Sequence, residues 1–207
     1  MENLVTLKKS NINFFTGIAT IQQCEDFIGQ IKYEKLVAIV GRSNVGKSSL
    51  INALFSKKIA FTSNTPGKTK QINIFKGLIG KENFILMDLP GYGHATVSKK
   101  EKNEWQALMD YFFENLPQNT LLLMIQDARH PLQKTDVEFI SYVKSYSFVK
   151  AIVFNKYDKL KTQKERSAAE VEIKKIQNKY AYLSFTQTVS AIIYESLEPL
   201  AKKIVLT

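Results

Sequence analysis

Gly41-Arg42-Ser43-Asn44-Val45-Gly46-Lys47-Ser48 decides how the rest of the chain is read. The stretch fits G-x-x-x-x-G-K-[ST], a phosphate-binding loop. Its flanks fit as well: Leu36–Val40 is a short apolar run that reads as a buried strand, and Ser49–Phe55 reads as the start of a helix. Strand, loop and helix is the order the motif requires. Gly41 and Gly46 let the backbone wrap a phosphate with no Cβ in the way. The N–H groups of the loop and of the helix N-terminus then face the anion. Lys47 adds a positive charge against the outer phosphates, and the Ser48 hydroxyl can ligate Mg²⁺.

A length of 207 residues suits one α/β domain with a sizeable core. Hydrophobic and charged contents of 44% and 23% are those of a globular protein. The single cysteine, Cys24, excludes an intrachain disulfide and reads as a small buried apolar residue. No basic-then-apolar stretch opens the chain, and apolar runs such as Leu121–Ile125 are too short to span a bilayer. No cysteine near the C-terminus offers a prenylation site. A cytoplasmic protein with no membrane partner is expected. The net charge of +10 favours polyanionic partners such as RNA, DNA or an anionic surface, and fits a well-solvated lysine-rich surface equally well. Part of the excess is local, with ten Lys/Arg against four Asp/Glu over residues 144–179.

Residues 1–35 read as an N-terminal extension packed on a single domain of residues 36–207. Within the extension, Ile12–Phe15 is either an edge strand or a packed arm, and Ile21–Ile31 a short helix. Residues 60–70 are polar and rich in turn formers, so they form a loop. Gln71–Phe75 and Phe84–Met87 read as paired strands joined through Gly77 and Gly80. The second ends in Asp88-Leu89-Pro90-Gly91-Tyr92-Gly93. An acid at the end of an apolar strand, before a sharp glycine turn, sits where open α/β sheets bind ligands. Asp88 can hold Mg²⁺ through water, and Gly91 can offer its N–H to a terminal phosphate.

Trp105, Leu108, Met109, Phe112 and Leu116 share one helical face and read as core. Leu121–Gln126 and Lys150–Phe154 read as strands, with a helix over Gln133–Tyr146 between them. The second strand ends in Asn155-Lys156-Tyr157-Asp158, an N-K-x-D signature. The Asp158 carboxylate can accept from N1–H and the N2 amino group of guanine, donors that adenine lacks. Lys156 can lie along the base, and Asn155 can bind both the phosphate loop and the base edge. Arg166–Tyr180 reads as an amphipathic helix with Ala169, Ile173, Ile176 and Tyr180 inward. Tyr182–Val189 reads as the last strand, Ser190-Ala191 follows it, and Ile192–Ile204 closes the chain as a helix.

Together the G-R-S-N-x-G-K-S, T-S-x-T-P-G-K-T and D-L-P-G-Y-G stretches and N-K-x-D resemble the EngB/YihA (YsxC) family of bacterial ribosome-biogenesis GTP-binding proteins, within the TrmE-Era-EngA-EngB-Septin-like class. The resemblance runs from Leu36 to the C-terminus and takes in Asp127-x-Arg129-His130 with Asp136 after it. It implies a Ras-like G domain: a mostly parallel six-stranded sheet with one antiparallel edge strand and helices on both faces. It implies GTP or GDP with Mg²⁺, and a role in large ribosomal subunit assembly tied to cell division and septation. Ser48 and Thr69 would be the Mg²⁺ ligands, with Thr65 the rival of Thr69. Gly67, Lys68, Thr69, Lys70 and Gln71 would form the first switch contact, and Asp88, Leu89, Pro90 and Gly91 the second. Val189, Ser190 and Ala191 would form the loop at the base edge, with the Ala191 N–H meeting guanine O6. Asn155 stands where many members have Thr, and His94 where the family usually has Tyr.

Ras-like enzymes place a water-orienting glutamine where this chain has Tyr92, so slow hydrolysis and a switch role are expected, with residues 60–70 and 88–100 responding to the nucleotide. Lys47, Asn44 and Thr69 are the candidate catalytic set. Related GTPases with Asn at the Asn44 position can hold K⁺ there. A monomer is expected, and an alternative of another class is an interaction protein at the division site that binds GTP and hardly turns it over.

Overall fold

The computed structural model describes residues 7–32, 34–60, 71–92 and 99–206. In chain order the elements are β1 (Asn13–Ile18), α1 (Ile21–Ile28), β2 (Lys35–Gly41), α2 (Lys47–Phe55), β3 (Ile72–Ile79), β4 (Glu82–Asp88), α3 (Lys99–Asn115), β5 (Leu121–Asp127), α4 (Lys134–Val143), β6 (Val149–Asn155), a short 3₁₀ turn (Tyr157–Lys159), α5 (Gln163–Lys179), β7 (Phe185–Thr188) and α6 (Tyr194–Leu206). The strands form one sheet in the order β1-β3-β4-β2-β5-β6-β7. β4, β2, β5, β6 and β7 run parallel, and β3 is antiparallel to both β4 and β1.

Period-2 alternation explains why the sheet is covered on both faces. Leu36, Ala38 and Val40 of β2 join one core with residues of α1, α3, α4 and α5. Val37 and Ile39 join the other, with Leu50, Leu54 and Phe55 of α2 and Leu197, Leu200 and Ile204 of α6. The near-continuous apolar runs of β2, β5 and β6 are what strands buried on two faces require. On α3, Leu108, Met109, Phe112 and Leu116 are buried as their spacing predicts, and Trp105 packs at the margin.

The α/β class and the mostly parallel sheet stand. Among the described residues the sheet nevertheless has seven strands rather than six, because residues 13–18 add to β3 as an edge strand. This resolves the open choice at Ile12–Phe15 and puts the antiparallel β3 one place in from the edge. Gly77 shows why the chain can run there: a Cβ on it would lie 2.1 Å from the Asn11 carbonyl oxygen. The alternation around Ile12–Phe15 is too short to signal a strand, and the bulge between Phe14 and Thr16 interrupts it further. The last strand is shorter than expected, Phe185–Thr188, since Leu183 turns back onto Tyr180 before it begins.

Candidate nucleotide-binding site

The parallel strands end where the motifs lie. β2 runs into the phosphate loop, and Gly46 caps α2 at φ 87°, a left-handed backbone that glycine adopts freely. A Cβ there would also lie 2.6 Å from Asn155 Nδ2. That amide is the main strut of the loop. It donates to the Val45 carbonyl at 3.0 Å and the Gly46 carbonyl at 3.3 Å. Asn155 is 1% exposed and ends β6, so the strand that runs into N-K-x-D also holds the phosphate loop.

Lys156, at φ 64°, donates from Nζ to the Asn44 carbonyl and pairs with Asp127 at 3.2 Å. Arg129 grips the same carboxylate through Nε at 2.9 Å and a terminal guanidinium nitrogen at 2.6 Å. Burial alone would raise the Asp127 carboxyl, but the Arg129 hydrogen bonds and Lys156 outweigh it and hold it at about 2. Asp158 accepts from the Ser190 hydroxyl at 2.7 Å and lies 3.5 Å from Lys159 Nζ. The Tyr157 N–H donates to the Val189 carbonyl at 3.2 Å, and the Ser190 N–H donates to the Ser196 hydroxyl at 2.8 Å. The N-K-x-D turn and the Val189–Ala191 loop are thus one hydrogen-bonded unit.

On the phosphate side, Lys47 Nζ pairs with Asp88, both largely buried. Leu89 continues β4 by donating to the Ile39 carbonyl at 2.9 Å. Pro90 is buried and Gly91 half-buried. Ser48 lies in the first turn of α2, half-buried. Ser43 and Val45 lie in the loop itself, with Val45 buried in the core shared by α2 and α6. Gln71 stands just before β3, its amide on Asn73 at 3.1 Å. Gly67, Lys68, Thr69 and Lys70, and with them Thr65 and His94, lie outside the described residues.

Two features had no role in the sequence motifs. Asp136, fully buried in the first turn of α4, accepts from Arg42 Nε at 2.9 and 3.0 Å and from the Tyr92 hydroxyl at 2.9 Å. Tyr92 stacks on Phe139, ring centroids 4.4 Å apart, and burial with the Asp136 carboxylate pushes its phenol far above the ordinary range. Ser196, three residues into α6, braces Ser190. Asp136 belongs to the family resemblance, where it carried no stated role, and Ser196 belongs to no linear signature; only the fold shows what either side chain touches. For Asp136 the signals were its place in that resemblance, after Asp127-x-Arg129-His130, and an acid in the N-terminal turn of a helix, which is ordinary capping chemistry.

A family model described as "50S ribosome-binding GTPase" matches residues 36–156. Relatives named "Probable GTP-binding protein EngB" are 43% identical over 154 residues in Thermotoga maritima, covering 74% of this chain and 77% of that protein. The Flavobacterium johnsoniae relative of that name is 47% identical over 156 residues, covering 74% and 70%. In Petrotoga mobilis the identity is 35% over 188 residues, covering 89% and 93%. The chain belongs to the EngB family of GTP-binding proteins.

Solved structures place this EngB chain among Ras-like GTPases. An Aquifex aeolicus Era variant bound to GDP and aluminium fluoride is 26% identical with a TM-score of 0.68 over 84% of this chain. Era with MgGDPNP and nucleotides of 16S ribosomal RNA gives 26% and 0.69 over 85%. The EngB chain spans 57% of the length of either Era chain. The arrangement suits a guanine nucleotide: a glycine-capped helix N-terminus, Lys47, and a carboxylate at the base loop. The Ser48 hydroxyl and buried Asp88 are hard oxygen donors of the kind Mg²⁺ takes beside phosphates. Among the described residues no helix is long and apolar enough to cross a membrane.

Proposed function

We propose that this EngB chain is a Mg²⁺-dependent GTPase of slow intrinsic turnover that acts as a molecular switch in large ribosomal subunit assembly, and on which normal division and septation depend. The observation that carries it is Asn155. One side chain joins the N-K-x-D turn to the phosphate loop, so base recognition and phosphate binding are assembled as one site. Gly41–Ser48 wrap the phosphates, Asp158 and Lys156 take the base, and the Ala191 N–H lies on the loop meant for its O6 edge. Ser48 and Thr69 would hold Mg²⁺, which supplies charge to the phosphates as the bond to the terminal one breaks.

Slow turnover follows from Tyr92. Its ring is stacked on Phe139 and its hydroxyl is committed to Asp136, so it orients no water. Hydrolysis would rest on Lys47, Thr69 and Asn44. Asn44 is exposed in the phosphate loop, and its side-chain oxygen would be the K⁺ ligand. Equal rates in K⁺ and Na⁺ would remove the K⁺ role. Residues 36–207 form the G domain in this proposal, with 1–35 as an extension packed on it, in a cytoplasmic monomer.

The ribosomal role is supported by the description of the matching family model, by an Era solved with 16S ribosomal RNA, and by the net charge of +10. Co-sedimentation with ribosomal subunits under GTP, GDP and no nucleotide, at two salt concentrations, tests it. The expected result is GTP-dependent, salt-sensitive association with the large subunit and a GTPase rate raised by it. Tight GTP binding with no association and no stimulated turnover would point instead to an interaction protein at the division site.

A further inference from the structure

The Asp136 carboxylate gathers three separate segments. Its two oxygens take Arg42 Nε, from the second residue of the phosphate loop, at 2.9 and 3.0 Å. One oxygen also takes the Tyr92 hydroxyl at 2.9 Å, and the other the Gln133 N–H at 2.9 Å. The carboxylate is fully buried, so water offers these donors no substitute. Arg42 and Tyr92 also meet through their backbones in a parallel bridge. The Tyr92 ring is then held flat on Phe139 of the same helix, with 10° between the planes.

Gly91 lies between two anchors. On one side Leu89 is tied to β2 through the Ile39 carbonyl. On the other, Tyr92 is tied to Arg42 and Asp136. Only Pro90, with its fixed φ, and Gly91 span the gap. The direction of the Gly91 N–H is therefore set by how firmly Tyr92 is held. We propose that Asp136 is a positioning residue for the terminal phosphate: by locking Tyr92 to the phosphate loop it aims the Gly91 N–H, and its loss weakens GTP binding more than GDP binding. This rests on the guanine-nucleotide function proposed above. GDP has no third phosphate for Gly91 to meet, so a displaced Gly91 costs it nothing directly.

A purely structural acid would behave differently, because loosening the fold lowers both affinities together. The molecule contains a matched control in the last turn of α4. Tyr142 donates to Asp110 at 2.6 Å, within the same aromatic group as Phe139 and away from the motifs. The experiment measures the affinity of the full chain for GDP and for a non-hydrolysable GTP analogue with Mg²⁺, alongside thermal unfolding, in the wild type, Tyr92→Phe, Asp136→Asn and Tyr142→Phe. Tyr92→Phe keeps the stacked ring and deletes one hydrogen bond to a charged group. It should lower the affinity for the analogue about fivefold while GDP moves less than about twofold. Asp136→Asn leaves one acceptor oxygen for donors that used two, and should widen the gap between the nucleotides to about tenfold or more. Tyr142→Phe should lower the melting temperature and leave the ratio of affinities unchanged. Equal losses for both nucleotides in Tyr92→Phe, or no loss for either, overturn the inference while leaving the proposed function intact. A wild-type chain that binds neither nucleotide overturns both. Should Asp136→Asn not fold, Tyr92→Phe alone decides.

Discussion

The two ends of the parallel strands use buried polar groups in opposite ways. At the carboxyl end, Asp88, Asp127, Asn155 and Ser190 are all buried, with Asp136 beside them. Several of their partners come from remote parts of the chain: Arg42 and Asp136 lie 94 positions apart, and Asn155 and Val45 110, although Arg129 meets Asp127 from two residues away. At the amino end the buried charge is Lys150, and its Nζ is satisfied by the Tyr146 and Phe148 carbonyls, four and two residues away. Lys35 reaches further, to the Val205 carbonyl, but its ion partner Glu82, at 3.1 Å, is largely exposed. Local satisfaction tolerates a polar group at a strand end. At the carboxyl end the long-range contacts tie the motif segments to one another.

The sharpest way to test that contrast is at the base loop. Asp158→Asn should lower GTP affinity by about a hundredfold or more, since two hydrogen bonds from guanine to a charged acceptor are worth roughly 1.5–3 kcal/mol each. Xanthosine triphosphate should gain on GTP, because its ring offers the complementary edge. Competition binding against a fluorescent guanine nucleotide measures both. Unchanged selectivity would mean that Asp158, held by Ser190 at 2.7 Å, serves only the loop.

Asn155→Ala attacks the contact between β6 and the phosphate loop, made across 110 positions of chain. It removes both bonds to the phosphate loop, so stability should fall by about 1–2 kcal/mol and nucleotide affinity by roughly tenfold. Denaturant unfolding with and without GDP separates the two. A loss of stability with affinity intact would mean that the loop holds its shape without β6.

How much of this the sequence disclosed follows the same division. Leu36–Val40, Leu121–Gln126 and Lys150–Phe154 were legible because strands buried on both faces need continuous apolar runs. The phosphate loop, Asp88 and N-K-x-D could be singled out because their signatures are written in consecutive residues. Asn155 could be foreseen as a strut for the loop, since the motif carries that role. Asp136 could not, because its importance lies in Arg42 and Tyr92 arriving from elsewhere, and no local pattern encodes a meeting of segments. β1 was ambiguous for a related reason: its place in the sheet depends on Asn11 crossing Gly77, a contact made only in the fold.

Acid probes a smaller part of the carboxyl end. The folded Asp127 carboxyl is held at about 2, below its ordinary value of 3.8, so between those values the unfolded chain binds the extra proton. The contribution of its pairs with Arg129 and Lys156 is therefore complete above about pH 4 and is lost as pH falls towards about 2. Unfolding followed across that window should show a steeper acid loss in the wild type than in Asp127→Asn, whose amide has no proton to gain. Equal slopes would mean that Arg129 and Lys156 are satisfied as well by water.

The smallest effect is expected at the amino end, where Lys150 can be removed outright. Burial lowers its ammonium group below the ordinary lysine range, so the charge is a cost that its two carbonyl partners and the Phe148 ring, 4.6 Å away, offset. Lys150→Met keeps the length of the side chain and deletes the charge. The Tyr146 and Phe148 carbonyls lose a donor, while the desolvation penalty disappears. The two changes oppose, and stability should shift by no more than about 1 kcal/mol in either direction. Nucleotide affinity should stay within about twofold of the wild type, because the partners of Lys150 are local and β6 keeps its register with β5 and β7. Thermal unfolding and GDP titration on the same sample measure both. A fall in affinity as large as that of Asn155→Ala would show that the two ends of β6 are mechanically coupled, and that polar satisfaction at the amino end matters to the site after all.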